Sequence, residues 1–224
     1  MLRAVVAEGI GTFILMLAGT GAVVTDGLSG GRLGILGIAL TFGLVVMALI
    51  YAMGHISGAH FNPAVTIAFA VVRHFPRRLI LPYWIAQVSG ALLGSLAVQT
   101  LIGSANHLGA THSVQAPLQT IALEAILTFF LMFVIMAVAT DSRAVGEAAA
   151  IAIGGTITLE ALFAGPITGA SMNPARSFAP ALLTGDLSDL WAYIVGPTFG
   201  AVAGALFYRW VGAHPLKKGP FPLV

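Results

Sequence analysis

The sequence predicts an all-α membrane protein of six transmembrane helices and two re-entrant half-helices, built as an inverted three-helix repeat. Three observations carry that prediction. The 224 residues are 58% hydrophobic and only 8% charged, whereas about a quarter of a soluble domain is charged. Apolar runs at 4–25, 34–54, 80–102, 118–139, 147–164 and 190–211 are each of the order of the ~20 helical residues needed to cross a bilayer core. Finally, the phrase Gly-Ala-x-x-Asn-Pro-Ala occurs twice with an offset of 111, as Gly58-Ala59-His60-Phe61-Asn62-Pro63-Ala64 and as Gly169-Ala170-Ser171-Met172-Asn173-Pro174-Ala175.

Taken in chain order, the first run starts almost at Met1 and contains Glu8, which predicts a retained helix rather than a cleaved leader. The second run leads into the first repeated phrase. Asn followed by Pro opens a helix: the Asn side chain caps free amides, and Pro at the first helical position has no N–H to leave unpaired. The apolar segment that follows is short, from Ala64 to Val72, and the one after Asn173 runs from Ala175 to about Leu183. At 1.5 Å per residue such segments cover about half of a ~30 Å core. Each is therefore predicted to be a half-helix, the kind of element that lines binding or permeation sites in membranes.

The duplication extends beyond the phrase. Glu8, Thr12 and Phe13 recur as Glu124, Thr128 and Phe129 at an offset of 116, and Gly90-Ala91 with Gly94 recurs as Gly200-Ala201 with Gly204 at an offset of 110. In the same register Gln87 faces Pro197. These matches define a first repeat of about 4–102 and a second of about 118–211 within one domain, 1–224. Each unit crosses an odd number of times, so the second copy is inverted and the two half-helices enter from opposite faces. Glycines four apart let helix backbones approach where lipid supplies no hydrophobic drive.

Six crossings place both termini on one side. Arg3, Arg73, Arg77, Arg78, Arg143, Arg209, Lys217 and Lys218 fall there, leaving Arg32 and Arg176 opposite, and this bias predicts cytoplasmic ends. The basic pI of about 9.3 follows from loop charge and needs no nucleic-acid partner. The tail from Pro215 to Val224, with three Pro and two Lys, is expected to be an unstructured end. There is no Cys, and the six His show no metal-ligand spacing. No cofactor, metal site or catalytic constellation is read from the chain, and an enzyme is not expected.

The expected chemistry centres on the Asn pair. Two opposed helix N-termini bring about half an elementary positive charge each to one place. That field repels cations and protons, while the side chains of Asn62 and Asn173 can donate to a neutral polar molecule. The non-helical runs Gly58, Ala59, His60, Phe61 and Gly169, Ala170, Ser171, Met172 carry carbonyls that cannot face lipid, so they are expected to line a pore. Arg176 is an expensive residue in an apolar half-helix and is assigned a task there. Glu8 and Glu124 occupy matching places and are expected to be buried structural acids that accept hydrogen bonds from the two irregular runs. Glu160 either faces the outer vestibule or bonds a neighbouring helix.

On the two Asn-Pro-Ala copies, with Arg176 after the second, the chain resembles the aquaporins of the major intrinsic protein family over residues 4 to about 211. The resemblance implies an aquaporin-like bundle with one pore per subunit, a homotetramer, and a multi-pass protein of the plasma membrane whose partners are the lipid bilayer, water and small neutral solutes. It also implies an aromatic/arginine filter, which falls by spacing on Phe42, Ala161, Ala170 and Arg176. Orthodox water channels resemble one another in a His where this chain has Ala161, so the filter is expected to be wide and weakly polar on that wall. The stretches Phe163–Ser177 and Tyr193–Pro197 are similar to the nodulin-like plant subfamily, which passes glycerol and neutral metalloid acids. Glycerol facilitators, however, resemble one another in an Asp where this chain has Ser177. The expected function is a passive channel for water and small uncharged solutes such as glycerol, urea or metalloid acids, excluding protons and ions. A strictly water-selective aquaporin is the alternative. A secondary transporter, which also uses inverted repeats, is disfavoured by the shortage of acidic residues, and a poorly conducting junction protein by the short loops.

Overall fold

The computed structural model describes residues 1–141 and 148–212. Arg143, Lys217, Lys218, residue 147 at the expected start of the fifth span and the tail from Pro215 lie outside the described residues. The helices are α1 (Leu2–Leu28), α2 (Gly34–Ser57), α3 (Pro63–Val71), α4 (Ile80–Leu101), α5 (Pro117–Ile135), α6 (Ala149–Thr168), α7 (Pro174–Thr184) and α8 (Leu190–Gly212). A π-helical turn, Met136–Thr140, continues α5. Among the described residues six segments are long and apolar enough to cross a membrane: α1, α2, Arg77–Leu101, Pro117–Thr140, α6 and α8. The short helices α3 and α7 are the two half-helices.

One boundary differs usefully from the sequence reading. The fifth span was expected to stop at 164, before Gly165-Pro166, but α6 runs on to Thr168. Pro166 removes a single N–H near the helix end, where the ladder is about to stop. The helix then closes on Gly169 at φ 83°, whose N–H donates to the Gly165 carbonyl at 2.9 Å. That closure is the left-handed cap that glycine provides without strain. The added turn brings the Thr168 hydroxyl to the site described below.

The repeated Gly-Ala-x-x-Gly segments are where backbones touch. A methyl group on Gly90 would clash with the Gly9 carbonyl, and one on Gly94 would lie 2.6 Å from the Phe13 oxygen. In the second repeat Gly200 meets the Ala125 carbonyl, and Gly204 would place its methyl 2.5 Å from the Phe129 oxygen. α1 thus packs on α4 as α5 packs on α8. The outward faces carry exposed apolar side chains such as Leu81, Phe199 and Trp210, as a lipid-facing surface requires.

This packing makes a prediction. Gly200→Val should lower stability by about 1–3 kcal/mol, the usual penalty of overpacking. Gly155→Ala, at a position with nothing within 4 Å, should be neutral or slightly stabilising by helix propensity. Thermal unfolding of the two variants in detergent tests the contrast, and equal melting temperatures would contradict it.

Candidate functional site

Each half-helix is preceded by a turn whose backbone is held in unusual conformations. Gly58, Ala59 and Phe61 have φ of 85°, 52° and 49°, and Gly169, Ala170 and Met172 have 83°, 42° and 54°. Left-handed φ at a non-glycine residue costs about 1–3 kcal/mol and persists only where surroundings over-determine it. The over-determination comes from two fully buried acids, Glu8 and Glu124. Glu8 Oε1 accepts from the Ser57 hydroxyl at 2.7 Å and the His60 amide at 2.9 Å, while its Oε2 accepts from the Phe61 amide at 2.7 Å and Gln87 Nε2 at 2.8 Å. Glu124 Oε1 accepts from the Thr168 hydroxyl at 2.7 Å and the Ser171 amide at 2.9 Å, and its Oε2 from the Met172 amide at 2.8 Å. The acids sit on α1 and α5 and reach across to the turns.

Further residues complete each clamp. Tyr83 on α4 donates to the Ser57 carbonyl at 2.9 Å, and Tyr193 on α8 donates to the Thr168 carbonyl at 2.6 Å. Sequence reasoning missed Ser57, Thr168, Tyr83 and Tyr193. A signal existed, because each pair recurs at the same offset of 110 or 111 as the repeated phrases. In the second half, Ser177 lies within hydrogen-bond distance of Ser171 Oγ, at 2.6 Å, and accepts from Thr111 Oγ1 at 2.8 Å.

The two half-helices meet at their Asn caps. Asn62 Oδ1 accepts from the Ala64 amide at 2.8 Å, and Asn173 Oδ1 accepts from the amides of Ala175 at 3.0 Å and Arg176 at 3.4 Å. Pro63 and Pro174 occupy the first helical positions. Each Asn also reaches the opposite repeat: Asn62 Nδ2 donates to the Met172 carbonyl at 2.7 Å, and Asn173 Nδ2 to the Phe61 carbonyl at 2.9 Å. The carbonyls of Phe61 and Met172 are therefore occupied by this cross-link. Each Asn amide has a second N–H, and both residues border a cavity.

Two cavities flank the Asn pair. The first, on the side of the Glu8 turn and called the inner, of about 120 Å³, is bordered by Gly58, Ala59, His60, Phe61, Asn62 and Asn173 among largely apolar side chains, and reaches Phe42, Met172 and Arg176. The outer, of about 240 Å³, brings together Phe42, Ala161, Ala170 and Arg176, with Gly169 and Met172 at its wall. Ser171 borders neither and is turned into the protein by its bonds to Ser177 and the Asn173 carbonyl. Arg176 is buried, with 6% exposure. Its Nη1 donates to the Gly109 carbonyl at 2.6 Å, and its guanidinium lies 5.1 Å from the centre of the Phe42 ring, within the range of a cation–π contact. Gly109, in the loop before α5, was not anticipated. Glu160 borders neither cavity: it is fully buried, and among the described residues neither carboxylate oxygen has a partner.

Half-helices meeting head to head between two cavities, on a frame of six apolar crossings, define a multi-pass membrane channel rather than an enzyme. The chain belongs to the major intrinsic protein family, whose model, Major intrinsic protein, matches residues 1–208. It is 50% identical over 206 residues to Aquaporin NIP1-3 of Oryza sativa subsp. japonica, covering 92% of this chain and 72% of that one. To Nodulin-26 of Glycine max it is 47% identical over 209 residues, covering 93% and 77%. Among solved structures it is similar to the aquaglyceroporin from Plasmodium falciparum, with a TM-score of 0.87 and 27% identity over 94% of this chain and 96% of that one. As in that family, the function is passage of water and small solutes.

Proposed function

We propose that this channel passes water together with small uncharged solutes, of the class of glycerol, urea or neutral metalloid acids, and excludes protons and ions. The observation that carries the reading is the outer cavity. Its four filter residues are Phe42, Ala161, Ala170 and Arg176, and two of them are methyl-sized. A pore discriminates by diameter and by the donors and acceptors on its wall. Here the donor is Arg176, Phe42 supplies an apolar face, and the two alanines leave room for a solute larger than water. The relative described as an aquaglyceroporin shares the fold, and the nodulin-like relatives share the most sequence of those named above.

In this reading the carbonyls of Gly58, Ala59 and His60, and of Gly169 and Ala170, form the acceptor path on either side of the Asn pair. The second N–H groups of Asn62 and Asn173 bind the permeant molecule at the centre. The two helix N-termini and Arg176 supply the positive field that rejects cations. The loop bias of Arg3, Arg73, Arg77, Arg78 and Arg209 toward one side supports cytoplasmic termini by the positive-inside rule. The exposed apolar flanks suit a homotetramer in the cell membrane.

Stopped-flow light scattering on proteoliposomes tests the proposal. Fast osmotic shrinkage followed by fast re-swelling under glycerol, urea or boric acid gradients is the expected result. Fast shrinkage with no re-swelling above empty liposomes would make the pore water-selective.

A further inference from the structure

Ser177 is fully buried and borders neither cavity, yet it joins two parts of the protein. Its Oγ lies 2.6 Å from Ser171 Oγ and accepts from the Thr111 hydroxyl at 2.8 Å. The direction of the chain follows from counting protons, since each hydroxyl has one to donate. Ser171 gives its proton to the Asn173 carbonyl at 3.0 Å, so Ser177 donates to Ser171 and Thr111 donates to Ser177. The chain therefore runs one way, from Thr111 in the loop before α5 to the Asn173 carbonyl at the head of α7. All four residues are buried.

The first repeat builds the same brace on a different anchor. At an offset of 111 the counterparts of Ser171 and Ser177 are His60 and Thr66, and these too are paired, His60 Nδ1 lying 3.1 Å from Thr66 Oγ1. The third partner there is Gln87 on α4, whose Nε2 donates to Thr66 at 3.0 Å. The matching residue on α8 is Pro197, which has no side-chain donor, and Thr111 fills the place from the loop. The first brace is thus fixed to a membrane-spanning helix and the second to a loop. Two residues earlier the same loop carries Gly109, whose carbonyl receives Arg176 at 2.6 Å. Consecutive residues of α7, Arg176 and Ser177, are therefore tied to one short stretch of loop. That stretch is wedged as well as bonded: a methyl group on Gly109 would lie 3.1 Å from Thr20 Cβ, and one on Gly169 would lie 3.1 Å from the Thr111 methyl.

We propose that Thr111 and Ser177 are positioning residues of the filter: their hydrogen bond latches the loop onto α7 and so fixes the Gly109 carbonyl that holds the Arg176 guanidinium. When the latch is broken the loop carries that carbonyl away, and the guanidinium swings into the outer cavity, against the larger solute. The effect on selectivity rests on the filter assignment above, but the fastening of the loop does not, so the two are read out separately.

Hydrogen exchange of the reconstituted protein reads the latch directly. The amides of Leu108 and Ala110 bond within the loop, and Thr111→Val, which keeps the shape and removes the hydroxyl, should speed their exchange about fivefold, the order of one lost hydrogen bond. Thr111→Ser, which keeps the hydroxyl, should exchange like wild type. In flux measurements Thr111→Val should lower the ratio of solute to water permeability about fivefold, while Thr111→Ser holds it within about twofold of wild type. In an Arg176→Val background Thr111→Val should no longer move the ratio, because the hydroxyl acts through the guanidinium. The proposal is overturned if Thr111→Val exchanges like wild type, if it leaves the ratio unchanged or raised while Arg176→Val shifts it, if Ser is as damaging as Val, or if the effect persists without Arg176. Should Thr111→Val fail to fold, Ser177→Ala, which breaks the same chain, takes its place. If Arg176→Val itself leaves the ratio at the wild-type value, the filter assignment falls and the exchange result alone decides the latch.

Discussion

Glu124→Leu should abolish permeation, and Glu8→Leu should do the same while destabilising the protein further. Leucine at 124 strands the Thr168 hydroxyl and the amides of Ser171 and Met172 around a fully buried position. Each unsatisfied buried donor costs about 1–3 kcal/mol. The loss is not confined to stability. Without the carboxylate the turn that holds the left-handed residues Ala170 and Met172 loses the acceptor of the Ser171 and Met172 amides, and Met172 carries the carbonyl that fixes Asn62. Glu8→Leu strands four donors, from Ser57, His60, Phe61 and Gln87, so its unfolding temperature should fall further than that of Glu124→Leu. The Gln variants should lie between, because an amide keeps one acceptor oxygen and turns the other into a donor facing donors. Osmotic permeability in proteoliposomes, beside thermal unfolding in detergent, gives both readouts. Wild-type permeability in Glu124→Leu would mean that the turn holds its shape without the clamp.

The parts of this architecture that were legible in the sequence are those written twice. The Asn-Pro-Ala copies located both half-helices, because Asn capping and Pro at the first helical position are local rules that context rarely overrides. Glu8 and Glu124 were legible as clamps because their matching places argued against chance, and the structure joins each to the turn of its own repeat. The other half of each clamp was harder to see. Ser57, Thr168, Tyr83 and Tyr193 follow the same offset, yet a hydroxyl in an apolar helix gives no sign of which carbonyl or carboxylate it will meet. Contacts made once were not legible at all. Gly109, which receives the Arg176 guanidinium, sits in a loop where Asn106, His107 and Leu108 all have positive φ, and no spacing rule places such a carbonyl. The expected end of the fifth span at 164 falls one turn short of the end of α6 at Thr168, because a proline near a helix end, Pro166, removes little. Glu160 was left between two readings, since neither a vestibule position nor a helix contact follows from its neighbours. The structure removes the first reading by keeping it off both cavities.

Ala161→His should lower the flux of glycerol-sized solutes by about tenfold, equivalent to ~1.4 kcal/mol of added barrier, while water flux changes much less. The reason lies in which walls of the outer cavity can move. Arg176 is held by the Gly109 carbonyl at 2.6 Å and faces Phe42 at 5.1 Å, so the guanidinium is not free to retreat from a larger solute. In the proposed filter the width is set on the remaining side, where Ala161 and Ala170 border the cavity. An imidazole at 161 projects into a space of about 240 Å³ and brings a polar nitrogen. It thus narrows the passage and gives water a partner that a solute must share. Water, the smallest permeant, still fits, so the ratio of the two permeabilities is the informative quantity. Measured on one preparation of proteoliposomes, that ratio is independent of how much protein inserted. A ratio unchanged from wild type, with both fluxes lowered together, would show that position 161 does not set the width and would move the filter away from this cavity.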